Sequence, residues 1–216
     1  MKWMSLVSIC MLATFAAIAP AGPVQADLSG DEILAKAAAG ANLQSYSVPV
    51  HFDVHMKRPI GVKAPVEGIM YYQSPAQAAL VLTKVPGPIG QFFKGSYKLD
   101  MVPQTWPPKY TVKSVSESQQ SGTPIYVLHA VPNADPDVDQ VEFDITKADN
   151  AAVAVVWHYK DGSTIEITTI NQQLSGNVLP QTQTISVTMP KYALEAAATY
   201  GEYASNAPIP AGIFNK

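Results

Sequence analysis

From Tyr46 the chain alternates. Tyr46, Val48, Val50, Phe52, Val54 and Met56 are apolar, and Ser47, Pro49, His51, Asp53, His55 and Lys57 stand between them. A period of two places the apolar set on one face of a strand and leaves the other face wet. Pro49 has no N–H for a ladder, so an edge or an irregularity is expected there. Further strand-like segments follow at Val66–Gln73, Ala78–Lys84, Tyr110–Glu117, Pro124–Val131, Gln140–Thr146, Ala152–Tyr159, Thr164–Asn171 and Gln183–Met189. Their connections are short and rich in Gly, Pro, Asn and Asp. Asp161-Gly162 and Ser121-Gly122 between such runs signal hairpins, and successive hairpins imply an antiparallel meander. Tyr192–Asn206 is ambiguous. Leu194-Glu195-Ala196-Ala197-Ala198 favours helix by propensity, whereas Tyr200, Tyr203 and the preceding meander favour a strand, which is the reading adopted.

Before Gln44 the period is helical. Ser29 followed by Glu32 fits a capping box, Asp31 and Glu32 suit the positive end of a helix dipole, and Ile33, Leu34, Ala37, Ala38 and Ala41 recur at helical spacing. A helix is therefore expected over Ser29–Leu43. Its exposed charge is little more than Lys36, so it should lie against an apolar surface. The implied fold class is α+β, mainly β: one strongly curved antiparallel sheet with the N-terminal helix packed on its concave side. Such a sheet fills an ordinary core or encloses a cavity, and barrels of this kind are where buried ligand sites recur.

Two stretches break the regularity. Val85–Lys109 holds Pro86, Pro88, Pro103, Pro107 and Pro108 together with Phe92, Phe93, Tyr97, Met101 and Trp106, and it exceeds the usual loop length. Phe92, Phe93 and Trp106 are too apolar for a solvated loop. They either close over a cavity mouth as a lid or cap the core permanently. Asn133–Asp139 is short and acidic.

The first residues read as a leader. Lys2 supplies a positive start, Leu6–Ala19 is almost wholly apolar, and Val24-Gln25-Ala26 offers small residues for cleavage. A signal peptide over 1–26 is expected, cut near Ala26-Asp27, with 27–216 forming a single domain that works in the periplasm or is otherwise secreted. The apolar run is too short to span a bilayer, which takes roughly 20 residues, and no second run follows, so no permanent membrane anchor is expected. Cys10 lies within the run behind the bulky Ile9, which disfavours lipidation. The mature chain then has no cysteine and no disulfide or thiol chemistry. The chain has 14 basic and 17 acidic residues, and the leader removes only Lys2 from that balance. Arg58 is its single arginine. Phosphate-backbone binding relies on clustered Lys and Arg, so nucleic acid is not an expected partner.

Candidate chemistry is sparse. His51 and His55 have the spacing of metal ligands on a helix, but on a strand they stand about 13 Å apart. With Asp53 they read as a polar outer face. Asn133, Asp135, Asp137 and Asp139 alternate like the start of a calcium loop, yet Val138 replaces its glycine and the twelfth position lacks a glutamate. There is no G-x-S-x-G elbow, P-loop, G-x-G-x-x-G or C-x-x-C. His129 and His158 lie on predicted strands without a motif that pairs either with a nucleophile. The pair Glu166 and Asp161 carries no signature. No metal, cofactor or catalytic residue is assigned, and binding rather than enzymatic chemistry is expected. A secreted hydrolase is the alternative of another class, and it would need a polar cleft joining a histidine to a nucleophile or a metal.

Several segments resemble the LolA-like outer-membrane lipoprotein-sorting proteins. They are the helix Asp31-Glu32-Ile33-Leu34 before the long strand from Tyr46, then Tyr110-Thr-Val-Lys, Tyr126-Val-Leu-His, Tyr159-Lys-Asp-Gly-Ser and Leu179-Pro180. Tyr200-Gly-Glu-Tyr203, Asn206-Ala-Pro-Ile and Phe214 continue the likeness at the C-terminal end. The resemblance implies an unclosed, half-open β-barrel covered by helices, with an apolar cavity for lipid or lipoprotein acyl chains. It also implies a membrane-protein donor or acceptor as a further partner, a monomer, and an arginine inside the barrel; Arg58, the single arginine here, falls at a strand end beside Pro59. Relatives of this fold that sense envelope stress by binding a protein give a second reading. The lining candidates are Val50, Phe52, Val54, Met70, Tyr72, Leu80, Leu82, Phe143 and Trp157, with Phe92, Phe93 and Trp106 as lid candidates.

Overall fold

The computed structural model describes residues 28–90 and 102–214. Helix α1 (Gly30–Ala39) begins where the capping box places it: the Ser29 hydroxyl accepts from the Glu32 N–H at 3.3 Å, and the Glu32 carboxylate accepts from the Ser29 N–H at 2.8 Å. It is shorter than the spacing predicts. The carbonyl of Gly40 accepts from the N–H of Val178 at 2.8 Å, and the N–H of Asn42 donates to the Asn177 side chain. These bonds to the sheet replace the next helical turn and carry the chain straight into the first strand.

The strands are β1 (Ser45–Arg58), β2 (Val62–Gln73), β3 (Gln77–Lys84), β4 (Tyr110–Gln120), β5 (Thr123–Pro132), β6 (Val138–Thr146), β7 (Ala152–Tyr159), β8 (Thr164–Leu174), β9 (Asn177–Thr188), β10 (Ala193–Tyr200) and the short β11 (Ala204–Ser205). A four-residue helix α2 (Gly87–Gly90) and a 3-10 turn (Pro103–Thr105) lie between β3 and β4. The ambiguous segment is strand, as read. All pairings are antiparallel, in the order β3-β2-β1-β10-β9-β8-β7-β6-β5-β4, with β11 continuing β10 beside β1. The sheet closes through β1 and β10 but leaves β3 and β4 as its two ends. Among the described residues it is an unclosed barrel of one sheet with one substantial helix: the curved antiparallel sheet is what the alternation implied, and its open form is what the resemblance implied. No helix among the described residues is long and apolar enough to cross a membrane.

Pro49 marks the expected irregularity. Its carbonyl accepts from Gly201 at 2.9 Å, on the side where the neighbour of β1 changes from β10 to β11. The missing N–H therefore falls at a break in the partner strand. The tips Ser121-Gly122 and Ser175-Gly176 have positive φ at both residues, as two-residue hairpin turns of the primed types require. At the start of α1, a Cβ on Gly30 would lie 2.3 Å from Val112 Cγ1, so glycine is what lets the helix approach β4. There the Asp31 carboxylate accepts from the Val112 N–H at 3.0 Å.

Two aromatic groups fill the concave face. Phe143, fully buried, has ring centroids of Trp106 at 4.7 Å and Tyr110 at 5.3 Å, and the Trp157 indole N–H donates to the Tyr110 hydroxyl at 2.9 Å. Toward the other end of β1, Tyr46 stacks on Tyr72 at 5.2 Å and meets the Tyr203 edge at 5.5 Å. Tyr200 and Tyr203 donate to the Gln183 side chain and the Pro180 carbonyl. Burial pushes the hydroxyls of Tyr46, Tyr200 and Tyr203 well above the usual tyrosine range, so they stay neutral donors. Phe143→Ala should remove the centre of the first group and lower the unfolding free energy by about 3–5 kcal/mol. Urea denaturation measures this, and a loss below about 1 kcal/mol would show that the ring is not part of the packed core.

Candidate functional site: a cavity at the open end of the half-barrel

The second half of β1 presents Phe52, Val54 and Met56 to the concave side. Register then sets their neighbours. Val66 stands opposite Phe52 on β2, Ala196 opposite Val54 and Leu194 opposite Met56 on β10. Ile185 and Val187 follow on β9, and Ile165 on β8 faces Val187. With Leu80 and Leu82 of β3 and with Met189 and Tyr192 of the β9–β10 turn, these residues enclose a cavity of about 280 Å³. Helix α1 does not roof it, because α1 packs on the 3-10 turn and β4. Every lining side chain is apolar apart from the Tyr192 hydroxyl. A space so lined offers water few partners and takes an apolar ligand readily.

A second space of about 470 Å³ adjoins the first at Ile165. Its walls are Tyr110, Val138, Trp157 and Tyr159, and its rim carries Lys109, Asn133 and Asp135. The two share one end of the sheet but differ in chemistry, the first apolar and the second mixed.

Of the residues singled out in the sequence, Phe52, Val54, Leu80 and Leu82 line the apolar cavity, and Trp157 walls the second space. Val50, Met70 and Tyr72 share the concave face but pack nearer the tyrosine group, and Phe143 sits in the aromatic core. Trp106 is only 2% exposed and tilts against Phe143, the geometry of a cap on the core. Phe92 and Phe93 lie outside the described residues. Met56, Val66, Ile165, Ile185, Val187, Met189, Tyr192, Leu194 and Ala196 also line the cavity and were not singled out. Met56 merely continues the alternation of β1. The others become neighbours only through pairing between distant strands.

No protein-family model and no curated protein sequence matches the chain. Solved structures do. A LolA superfamily protein from Nitrosomonas europaea superposes with a TM-score of 0.65 at 12% identity, covering 88% of this chain and 99% of that one. A putative outer membrane lipoprotein-sorting protein domain from Vibrio parahaemolyticus gives 0.64 at 10% identity over 86% and 96%. A DUF1329 family protein from Desulfovibrio piger gives 0.61 at 8% identity over 86% and 95%. The fold is LolA-like.

In this LolA-like sheet the titratable groups flagged in the sequence lie away from the apolar cavity. His51 contacts Glu67 at 2.9 Å and Asp53 at 3.4 Å on the outer face. His129 meets Gln140 at 2.9 Å and Glu142 at 3.4 Å, and His158 stands opposite Gln140 and Thr164. Nearby, burial and then the Glu142 charge push the Asp144 carboxyl up. Among the described residues no group of three or more His, Cys, Asp or Glu could hold a metal. The acidic turn is held by its own bonds, with Asp135 accepting from the Asp137 N–H and Asn133 donating to the Pro108 carbonyl. The Ser163 side chain and then its N–H, which Asp161 accepts at 2.9 Å, hold the Asp161 carboxyl below its usual range, while Glu166 lies opposite Ser186. Arg58 is exposed at the β1–β2 turn and donates to the Met189 carbonyl at 3.4 Å. It lies on the lip of the barrel rather than inside it.

The hydrogen bond to Glu67 raises the pKa of His51, with Asp53 adding to it. A raised histidine pKa stabilises the fold fully below the unfolded value of about 6.5, and that contribution is lost as pH rises through the folded value. His51 is 42% exposed, so solvent screens the pair and its worth is about 1 kcal/mol or less. His51→Gln should therefore reduce stability at mildly acid pH and leave it unchanged at alkaline pH. Denaturation midpoints compared across that range would refute the pairing if the deficit grew with pH.

Proposed function

We propose that the protein is an exported carrier that holds lipid or lipoprotein acyl chains in the cavity beneath β1, without covalent chemistry. The observation that carries this reading is the uninterrupted apolar lining from Phe52 to Ile165, at the open end of a LolA-like half-barrel. Burial of a chain is worth about 0.8 kcal/mol per CH₂. Ten methylenes would gain about 8 kcal/mol before ordering costs, which is enough for stable yet reversible capture. Export follows from the leader over residues 1–26, and the chain from Asp27 onward acts as one domain in the periplasm. No cofactor enters this function. Apart from the Tyr192 hydroxyl in the wall and Arg58 at the lip, the described polar side chains stand outside the apolar lining, which suits holding a chain rather than cleaving one.

Native mass spectrometry with lipid extraction, on protein purified from a bacterial periplasm without detergent, tests the reading. A stoichiometric lipid or acylated peptide is expected. Phe52→Asp places a carboxylate in the apolar wall and should abolish its retention. Circular dichroism would show whether that variant remains folded, and Leu82→Asp offers a second position on β3 if it does not. A clean apo mass that also refuses added fatty acid and lipopeptide would overturn the carrier reading. Capture of a membrane protein by such an apo form would indicate a sensor instead.

A further inference from the structure

The lip of the apolar cavity differs from the rest of the surface. Pairing of β1 with β10 sets the β1–β2 and β9–β10 turns side by side, with Arg58 opposite Ala193 and bonded to the Met189 carbonyl. The β7–β8 turn comes next, since Thr164 faces Thr188. Lys57, Arg58, Lys63, Lys160 and Lys191 all stand exposed on these three turns or the strand residues beside them. The acids on these three turns and their flanks are Asp161 and Glu195, and Glu195 is paired with Lys57. The β5–β6 turn stands next, its Asp137 carbonyl accepting from the Lys160 N–H at 3.0 Å, and it brings the exposed Asp135, Asp137 and Asp139. The cationic part of this end is therefore the three turns nearest the apolar cavity, on a chain whose acidic residues outnumber its basic ones by 17 to 14. At the opposite end of the sheet, the turns between β2 and β3, β4 and β5, and β8 and β9 carry no charged residue, and the β6–β7 turn carries one of each sign, Lys147 and Asp149. Two large apolar side chains project from the lip, Ile60 at 39% and Tyr192 at 38% exposure; Val115, Ile170 and Leu174 are exposed elsewhere, without a cluster of lysines beside them.

We propose that this lip docks on an anionic phospholipid bilayer. Lysines near such a surface each strengthen binding roughly fivefold, and tyrosine favours the headgroup layer, where its ring and hydroxyl are both accommodated. Ile60 and Tyr192 enter the interface, and Arg58, Lys63, Lys160 and Lys191 meet the anionic headgroups. The acidic β5–β6 turn, with Asp135 and Asp137, belongs to the second space and is repelled, so the protein tilts with its apolar mouth toward the membrane. Tyr192 belongs to both the lip and the cavity wall. Docking therefore places the cavity entrance against the acyl layer. A few charges and two side chains give weak, reversible attachment, as exchange at a surface requires. The proposal extends the carrier reading to the place where cargo is exchanged, but the docking is measured apart from cargo binding.

The test is flotation with phosphatidylcholine vesicles, with and without phosphatidylglycerol, using protein purified from the periplasm of a host expressing the whole chain. Binding is expected only with phosphatidylglycerol, and added salt should weaken it. Combined Lys63→Gln, Lys160→Gln and Lys191→Gln should weaken it on the order of a hundredfold. Ile60→Ser should weaken it without altering its salt dependence. Lys36→Gln with Lys147→Gln, away from the lip, should leave it unchanged. Uptake of a fluorescent fatty acid in the absence of vesicles should be the same in the triple variant as in the parent. If that uptake is absent from the parent, the carrier reading fails while docking is still judged by flotation. Absence of binding to phosphatidylglycerol vesicles, or an equal loss in the control pair, would overturn the docking proposal. So would a lip that instead captures a membrane protein in neutral vesicles.

Discussion

Among the described residues the only helix longer than one turn is α1, and it cannot cover the concave face of ten strands. Helix α1 has ten residues and is about 15 Å long, whereas ten strands placed side by side would extend about 48 Å. The remaining apolar face must bury itself, and it does so by curling until its own side chains meet. Where those side chains are large, contact is complete. Trp106, Phe143, Tyr110 and Trp157 fill one region, and Tyr46, Tyr72, Tyr200 and Tyr203 fill another. Between β3 and β8 the lining is mostly aliphatic, with Phe52 and Tyr192 its only aromatic members and Ala196 at one of its central positions, and the walls do not meet. Among the described residues, the cavity follows from how little of the face α1 covers and from the size of the residues around it.

What local pattern revealed, and what it concealed, follows from the same distinction between near and distant contacts. β1 was legible because its two faces meet different environments along its whole length. β10 was blurred because Ala196, Ala197 and Ala198 are small on both faces, and alanine suits a helix well. The start of β9 was missed because Pro180 and the irregularity between Ile170 and Asn171 break the period there. Leu179 and Gln183 are both buried on either side of that break. Ala41 and Leu43 keep helical spacing beyond the end of α1, while the partner that ends it, Val178, lies far along the chain.

The candidate site was only partly legible for a related reason. Val50 and Met70 have the same pattern as Phe52, Val54 and Leu80, and all point to the concave side. What separates core from lining is distance along the strand from the tyrosine-filled end, and the pattern of one strand does not contain that distance. Ile165, Ile185 and Val187 enter the lining because β8 and β9 are brought beside β10, which in turn pairs with the first strand. Strand order is a property of the whole chain, so a single apolar run cannot announce which of its members will face a void.

The unpaired ends of the sheet complete the argument. A closed barrel fixes its diameter through strand number and stagger. An open sheet changes curvature through small changes of twist between neighbours. Here β3, one of the two ends, supplies Leu80 and Leu82 to the cavity, so part of its wall hangs from a single neighbouring strand. Met56 and Met189, with unbranched and flexible side chains, line the same space. On the carrier reading proposed above, a wall held by β2 alone and surfaced in part by methionine would suit chains of different shape. The other end strand, β4, is exposed along most of its length and polar, with Lys113 and Glu117 among serines and glutamines. Those side chains discourage pairing with a second sheet. The barrel therefore stays open at an edge that is soluble on one side and lines the cavity on the other.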